Sequence, residues 1–242
     1  MSKMRIYIKP EKIENFLEVS DQSVIHKLRN VLRLKPKQEI FVFDGQGKEY
    51  VYAIKDISKK CILLKKEKEL KRRCFLSRGV TLAFPVVKEE KVNFILQKAT
   101  ELGVRGFIPF VCERSLRGKL AKQKLERWKK IINGAAGQSG RLWMPDISEI
   151  LDFKEVLRSN YKTKLAASVK GERLSSILDD KKEDILVLIG PEGGFSPLEY
   201  SQLEGNNFKF LKLSSHILRV ETASIFSVGL INYTINNHTR EA

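Results

Sequence analysis

Apolar and polar residues alternate along positions 5–9 and again along 39–43. The second run leads into Asp44-Gly45-Gln46-Gly47, a turn of residues that tolerate unusual backbone angles, and short β-prone runs follow at 50–54 and 61–64. Between the first two runs the period changes. Over 23–34, Val24, Leu28, Val31 and Leu32 fall on one face at helical spacing, with Asp21 or Ser23 as cap. His26, Arg29, Asn30 and Arg33 share the opposite face, which reads equally well as a solvated polar face or as a binding surface. Several short strands interrupted by one helix predict a small β-barrel.

Residues 67–79 turn polar and basic and read as a linker, after which the texture becomes α/β. Strands are predicted at 80–84, 107–111, 165–169, 185–189 and 208–213. The run at 185–189 is continuously apolar, as expected where helices cover both faces of a sheet. Val92, Ile95, Leu96, Ala99 and Leu102 mark an amphipathic helix stopped at Gly103. A second helix over 122–136 buries Leu125, Trp128, Ile132 and Ala135 and carries Lys122, Lys124, Arg127, Lys129 and Lys130 on its other side. An apolar helix runs from Val220 to near Tyr233. Alternating strands and helices imply a mostly parallel sheet. The chain therefore divides into a β-rich domain over 1–74 and an α/β domain over 75–242.

Composition adds a partner class. Lysine and arginine number 45 against 29 acidic residues, a formal charge of +16 over 242 residues. Residues 1–74 carry net +9 and residues 75–242 net +7, so per residue the smaller domain is about three times as cationic. A polyanion, most simply nucleic acid, is the expected partner, with the first domain holding the phosphate backbone. Three isolated cysteines (Cys61, Cys74, Cys112) fit neither a disulfide framework nor a zinc knuckle, and three scattered histidines (His26, His216, His238) suggest no metal site. With no secretory signal or membrane-length apolar run, a cytoplasmic protein without a membrane partner is expected.

Three segments carry candidate chemistry. Gly190-Pro191-Glu192-Gly193-Gly194-Phe195-Ser196 follows the buried strand, and ligands of open α/β sheets lie outside the carboxyl ends of strands. Ser196-Pro197-Leu198-Glu199 then opens a helix with a capping box, fixing the loop at its far end. The loop lacks the Gly-Lys-Ser/Thr ending of a Walker A and the G-x-G-x-x-G of dinucleotide sites. The second segment, 213–223, brings Arg219, Glu221 and Thr222 to the entrance of the apolar helix, where partial desolvation is expected. It reads either as an Arg219–Glu221 structural network or as a site where the arginine meets substrate. The third joins Lys98-Ala99-Thr100-Glu101-Leu102-Gly103 with Gln138-Ser139-Gly140-Arg141. No nucleophilic serine or cysteine arrangement and no carboxylate pair stands out; a group transfer needing positioning and one cationic side chain is compatible.

In this order KATELGV (98–104), QSGR (138–141), GPEGGFS (190–196) and ILRVETA (217–223) resemble the RsmE-type 16S ribosomal RNA methyltransferases of the SPOUT class. His26, Leu28, Val31, Leu32 and Arg33 resemble that family's H-x-L-x-x-V-L-R element. The resemblance covers nearly the whole chain. It implies a PUA-like RNA-binding barrel followed by a trefoil-knotted methyltransferase domain, a homodimer, and S-adenosylmethionine-dependent methylation of uridine N3 in 16S rRNA. Carried over by motif, the methyl donor would lie among 165–169 (Ala167), Gly190, Pro191, Glu192, Gly193 and Gly194, and Leu213, Ser214, Ile217 and Leu218, with Thr222 beside them. The chain departs from the family pattern at Lys37-Gln38, Gly137, Ser214 and His216.

Methyl transfer from a sulfonium is an in-line displacement, so sulfur, methyl and nitrogen must be aligned. A guanidinium near the uracil carbonyl oxygens would stabilise the negative charge that develops there, a role expected of Arg219, oriented by Glu221. His26, Arg29, Arg33, Arg114 and Arg141 are the expected RNA contacts. Alternative readings are a SPOUT enzyme acting on another base or a ribose hydroxyl, and a non-catalytic ribosome-assembly factor.

Overall fold

The computed structural model describes residues 4–70, 78–115, 122–178 and 183–237 and divides into two units. The first comprises Met1–Phe75 with Asn133–Met144, the second Leu76–Ile132 with Pro145–Ala242. The expected boundary at 74/75, Cys74 and His238 lie outside the described residues. Residues 133–144, which the sequence pattern leaves with the α/β part, cluster with the first unit.

In the first unit β1 (Arg5–Tyr7), β2 (Phe16–Val19), β3 (Glu39–Phe43), β4 (Glu49–Ile57) and β5 (Ile62–Leu70) form one sheet in the order β1-β3-β4-β5-β2. Only β1 and β3 run parallel. Ile40, Val42, Tyr52, Ile54, Ile62 and Leu64 are fully buried at alternate positions, so one face of the sheet is the core. The Tyr52 hydroxyl donates to the Glu14 carbonyl over 2.6 Å, and burial pushes its pKa up to about 12. β5 continues to Leu70, into the stretch read as linker. Beyond β2's last partner at Lys65 it pairs only with β4, and a strand with one free edge accommodates lysines and glutamates.

The helix predicted at 23–34 is instead α1 (Gln22–His26), capped by Asp21, followed by a π-helical turn at Lys27–Val31. Ile25 and Leu28 are buried, but Val31 and Leu32 stand 63% and 42% exposed. The Leu32 amide bonds five residues back to Lys27 and the Leu34 amide six back to Leu28, so the widened turn carries later side chains out of helical phase. His26 and Arg33 are exposed and Arg29 half-buried, and Arg33 has a φ of +51°.

The second unit holds a sheet of seven strands. β6 (Val80–Pro85), β7 (Gly106–Val111), β10 (Thr163–Glu172), β11 (Ile185–Leu188) and β12 (Phe208–Leu211) pair in the order β12-β10-β11-β6-β7. The short β8 (Asp146–Ile147) and β9 (Leu151–Asp152) both pair with β7, and every pairing is parallel. Central β6 and β11 are buried along their whole length, which is why they read as unbroken apolar runs. α2 (Glu89–Glu101) buries Val92, Ile95, Leu96 and Ala99, as its spacing predicts. α3 (Lys122–Ser139) buries Trp128, Ile132, Ala135 and Ala136, while Lys124, Arg127, Lys129 and Lys130 are exposed. Two short helices, α4 (Phe153–Leu157) and α5 (Leu174–Ile177), are followed by α6 (Pro197–Gly205) and α7 (Val220–Asn237). Among the described residues no helix is long and apolar enough to cross a membrane, and no group of three or more His, Cys, Asp or Glu could hold a metal ion.

Candidate functional site

Because β6, β11 and β10 are parallel neighbours, their carboxyl ends open on the same edge of the sheet. The chain leaving those ends encloses a cleft of about 600 Å³, within the range of small-molecule sites. One wall is the loop at 190–194. The Gly194 amide donates to the Pro191 carbonyl over 2.8 Å, closing a turn that ends in a φ of +68° at Gly194. A Cβ at Gly190 would meet the buried Phe195 ring at 3.0 Å, so any larger residue would make the ring shift where it packs against the loop.

The capping box read from the sequence is present. The Ser196 hydroxyl accepts the Glu199 amide over 3.3 Å, and Glu199 Oε2 accepts the Ser196 amide over 2.8 Å. The other carboxylate oxygen of buried Glu199 accepts the Glu113 amide over 2.9 Å, and Arg114 donates to the Gly193 carbonyl over 2.7 Å. The loop is therefore held from below by Glu199 and from its outer side by exposed Arg114.

Ala167, Gly190, Pro191, Glu192, Gly193, Gly194, Leu213, Ser214, Ile217 and Leu218 all line this one cleft, together with Arg219. Thr222 does not. It lies on the face of α7 that continues through Ile225, Phe226, Gly229, Leu230 and Tyr233, and lines a separate groove against α2. Successive helical residues are rotated by about 100°, so Val220 and Ala223 turn to the cleft while Thr222 turns away. The expected desolvation also differs: Arg219 and Thr222 are exposed and only Glu221 is half-buried.

Glu221 does not orient Arg219. Its carboxylate pairs with Lys91 at 3.5 Å, and the same ammonium holds Glu192 at 2.5 Å. This raises the Lys91 pKa and lowers that of Glu192, chiefly through their mutual hydrogen bond. The Arg219 guanidinium forms no hydrogen bond or ion pair among the described residues. Lys91 is the cleft residue that sequence reasoning missed. Its available signal was its place in the first turn after a buried strand, where cleft residues of α/β sheets arise. Ser168, Val169, Tyr200 and His216 also line the cleft.

The expected RNA contacts fall in both units: His26, Arg29, Arg33 and Arg141 in the first, Arg114 in the second. Arg141 is half-buried and donates from Nε to the Trp143 carbonyl over 3.1 Å; desolvation pulls its pKa down to about 10. Two departures from the motif pattern have local reasons. A Cβ at Gly137 would meet the Arg5 carbonyl oxygen at 3.0 Å, and Ser214 accepts the His216 amide through its hydroxyl over 3.1 Å, closing a side-chain turn.

Residues 76–232 match the family described as RNA methyltransferase domain, and residues 23–67 the RNA methyltransferase PUA domain. The chain is 30% identical to the ribosomal RNA small subunit methyltransferase E of Rickettsia conorii, covering 98% of each chain. It is 32% identical to that of Mesomycoplasma hyopneumoniae, over 89% of this chain and 93% of the relative. Among solved structures, the Neisseria gonorrhoeae ribosomal RNA small subunit methyltransferase E bound to S-adenosyl methionine is 28% identical. It superposes with a TM-score of 0.86, covering 96% of this chain and 98% of that one. A Legionella pneumophila protein in complex with the bound cofactor SAM is 27% identical with a TM-score of 0.89, covering 97% and 98%. With both of its units matched and relatives aligned along nearly its full length, the chain belongs to the ribosomal RNA small subunit methyltransferase E family.

Proposed function

We propose that the protein transfers a methyl group from S-adenosylmethionine to N3 of a specific uridine of 16S ribosomal RNA, giving 3-methyluridine. The observation that carries this reading is the convergence of three loops on one cleft beside an unpaired guanidinium, Arg219. The residues present fit the donor. The volume suits a nucleoside with an amino-acid tail, the glycines at 190 and 194 bring bare backbone to the cleft, and Ile189, Leu213 and Leu218 provide apolar walls. When bound, S-adenosylmethionine supplies a sulfonium methyl group open to in-line attack.

The protein's own part is placement and charge. Loop 190–194, held by Glu199 and Arg114, fixes one wall of the cleft so that donor and base meet at a defined separation. The uracil imide nitrogen becomes nucleophilic once its proton leaves and negative charge spreads to the carbonyl oxygens. Arg219, a guanidinium committed to no carboxylate, is the group that stabilises this charge. The base has to be splayed from its stack to enter. His26, Arg29, Arg33 and Arg114 are the RNA contacts of this reading, with the half-buried Arg141 placing the chain around Trp143.

The same reading makes the protein a cytoplasmic, trefoil-knotted homodimer acting on the small ribosomal subunit. Phe94, Leu102, Phe226 and Tyr233 of α2 and α7 are exposed around a groove of about 730 Å³, an apolar face suited to a twofold contact. Sedimentation at micromolar concentration is expected to give twice the chain mass. The activity is tested by mass spectrometry of 16S rRNA from small subunits incubated with protein and donor. A new 3-methyluridine supports the reading. A methyl group on a ribose or another base, or none, defeats it.

A further inference from the structure

Among the described residues, Lys91 is the only one lining the cleft that does not come from the segments at 167–169, 189–200 and 213–223. It reaches both carboxylates at the cleft mouth, Glu192 at 2.5 Å and Glu221 at 3.5 Å. Glu221 Oε2, the oxygen facing the ammonium at 3.5 Å, is buried and has no closer polar partner among the described residues. A buried, under-satisfied carboxylate oxygen attracts any cation within reach, and Arg219 lies only two positions earlier at the start of the same helix. Arg219 is also near enough to Glu192 to lower its pKa. Yet the guanidinium pairs with neither carboxylate, while the lysine holds both.

We propose that Lys91 is a positioning residue for methyl transfer: by holding Glu192 and Glu221 as its own partners, it keeps the Arg219 guanidinium uncommitted and presented to the substrate. This rests on the function proposed above. Without the ammonium, two carboxylates would face the cleft and Arg219 would be drawn onto one of them, where its charge is neutralised. The groups facing these carboxylates are Lys91, Lys88 and Arg219, with His216 elsewhere on the cleft wall.

The test compares Lys91→Met, Lys91→Arg and the unsubstituted protein in single-turnover methylation of small subunits at saturating donor and pH 8. Donor affinity is measured separately by calorimetry with S-adenosylmethionine. Lys91→Met is expected to be at least tenfold slower at pH 8 with a donor Kd changed less than threefold. Lys91→Arg is expected to recover to within threefold. A Lys91→Met protein that keeps pace, a Lys91→Arg protein as slow as Lys91→Met, or a loss of donor affinity as large as the loss of rate overturns the assignment. If the unsubstituted protein itself transfers no methyl group, the proposed function fails; if it does and Lys91→Met matches it, only the role of Lys91 fails.

Discussion

Glu199 accepts the backbone amide of Glu113 over 2.9 Å, tying the start of α6 to the chain that leaves β7, 86 positions earlier. Its second oxygen closes the cap on Ser196. A buried carboxylate that satisfies two backbone donors leaves both unpaired when removed. Glu199→Ala is expected to destabilise the fold by about 3 kcal/mol, roughly twice the cost of one hydrogen bond to a charged group. Urea unfolding measures the loss, and calorimetry is expected to show weaker donor binding because loop 190–194 loses its lower support.

Arg219 forms no ion pair or hydrogen bond among the described residues, so its removal strands no buried charge. Arg219→Ala is expected to lower turnover by about 10²–10³, the usual cost of removing one group that stabilises developing charge. Donor affinity and the unfolding midpoint are expected to stay within error of the unsubstituted protein. Turnover assays beside calorimetry check both halves, and unchanged turnover would remove Arg219 from the chemistry.

Lys37 carries a φ of +73°, while its amide donates to the Ile54 carbonyl over 2.7 Å. This turn departs from the motif pattern in having lysine at a left-handed position. That conformation costs an L-residue about 1–2 kcal/mol, against about 0.5–1 kcal/mol of extra chain entropy for glycine. Lys37→Gly is expected to raise stability by about 0.5–1 kcal/mol, read from the shift in denaturation midpoint.

The Cys112 thiol is pushed up to about 11, first by burial and then by the neighbouring Glu199 charge. A raised thiol pKa keeps the proton on sulfur. At pH 8, three units below that value, roughly one thiol in a thousand is ionised. Alkylation of the native protein followed by peptide mass mapping is expected to modify the half-buried Cys61 well before Cys112, and the two to converge only after unfolding.

What could be read along the chain was whatever depends on neighbours in sequence. The Ser196–Glu199 cap, the glycine loop and the buried runs of β6 and β11 announce themselves within a few residues. The three-loop cleft came from the family resemblance, because alternation of strands and helices implies a parallel sheet but not the order of its strands. Relations that close over distance were not legible. Lys91 meets Glu192 across 101 positions, and its place in the first turn of α2 points to the cleft end of the sheet without naming that partner. The Arg219–Glu221 pairing was inferred from proximity in sequence, but Lys91 is the carboxylate's partner. Val31 and Leu32 hold helical spacing on paper, and only the π-turn puts them into solvent. Thr222 was grouped with its sequence neighbours, yet one residue along a helix is enough to change which cavity a side chain lines.

The measurement that bears most directly on the account is a crystal structure of this protein with S-adenosylmethionine. It is expected to place the adenosine against the backbone of Gly190 and Gly194, with the sulfonium methyl turned toward Arg219. Donor density in the α2–α7 groove, or a methyl group pointing away from that arginine, would contradict it.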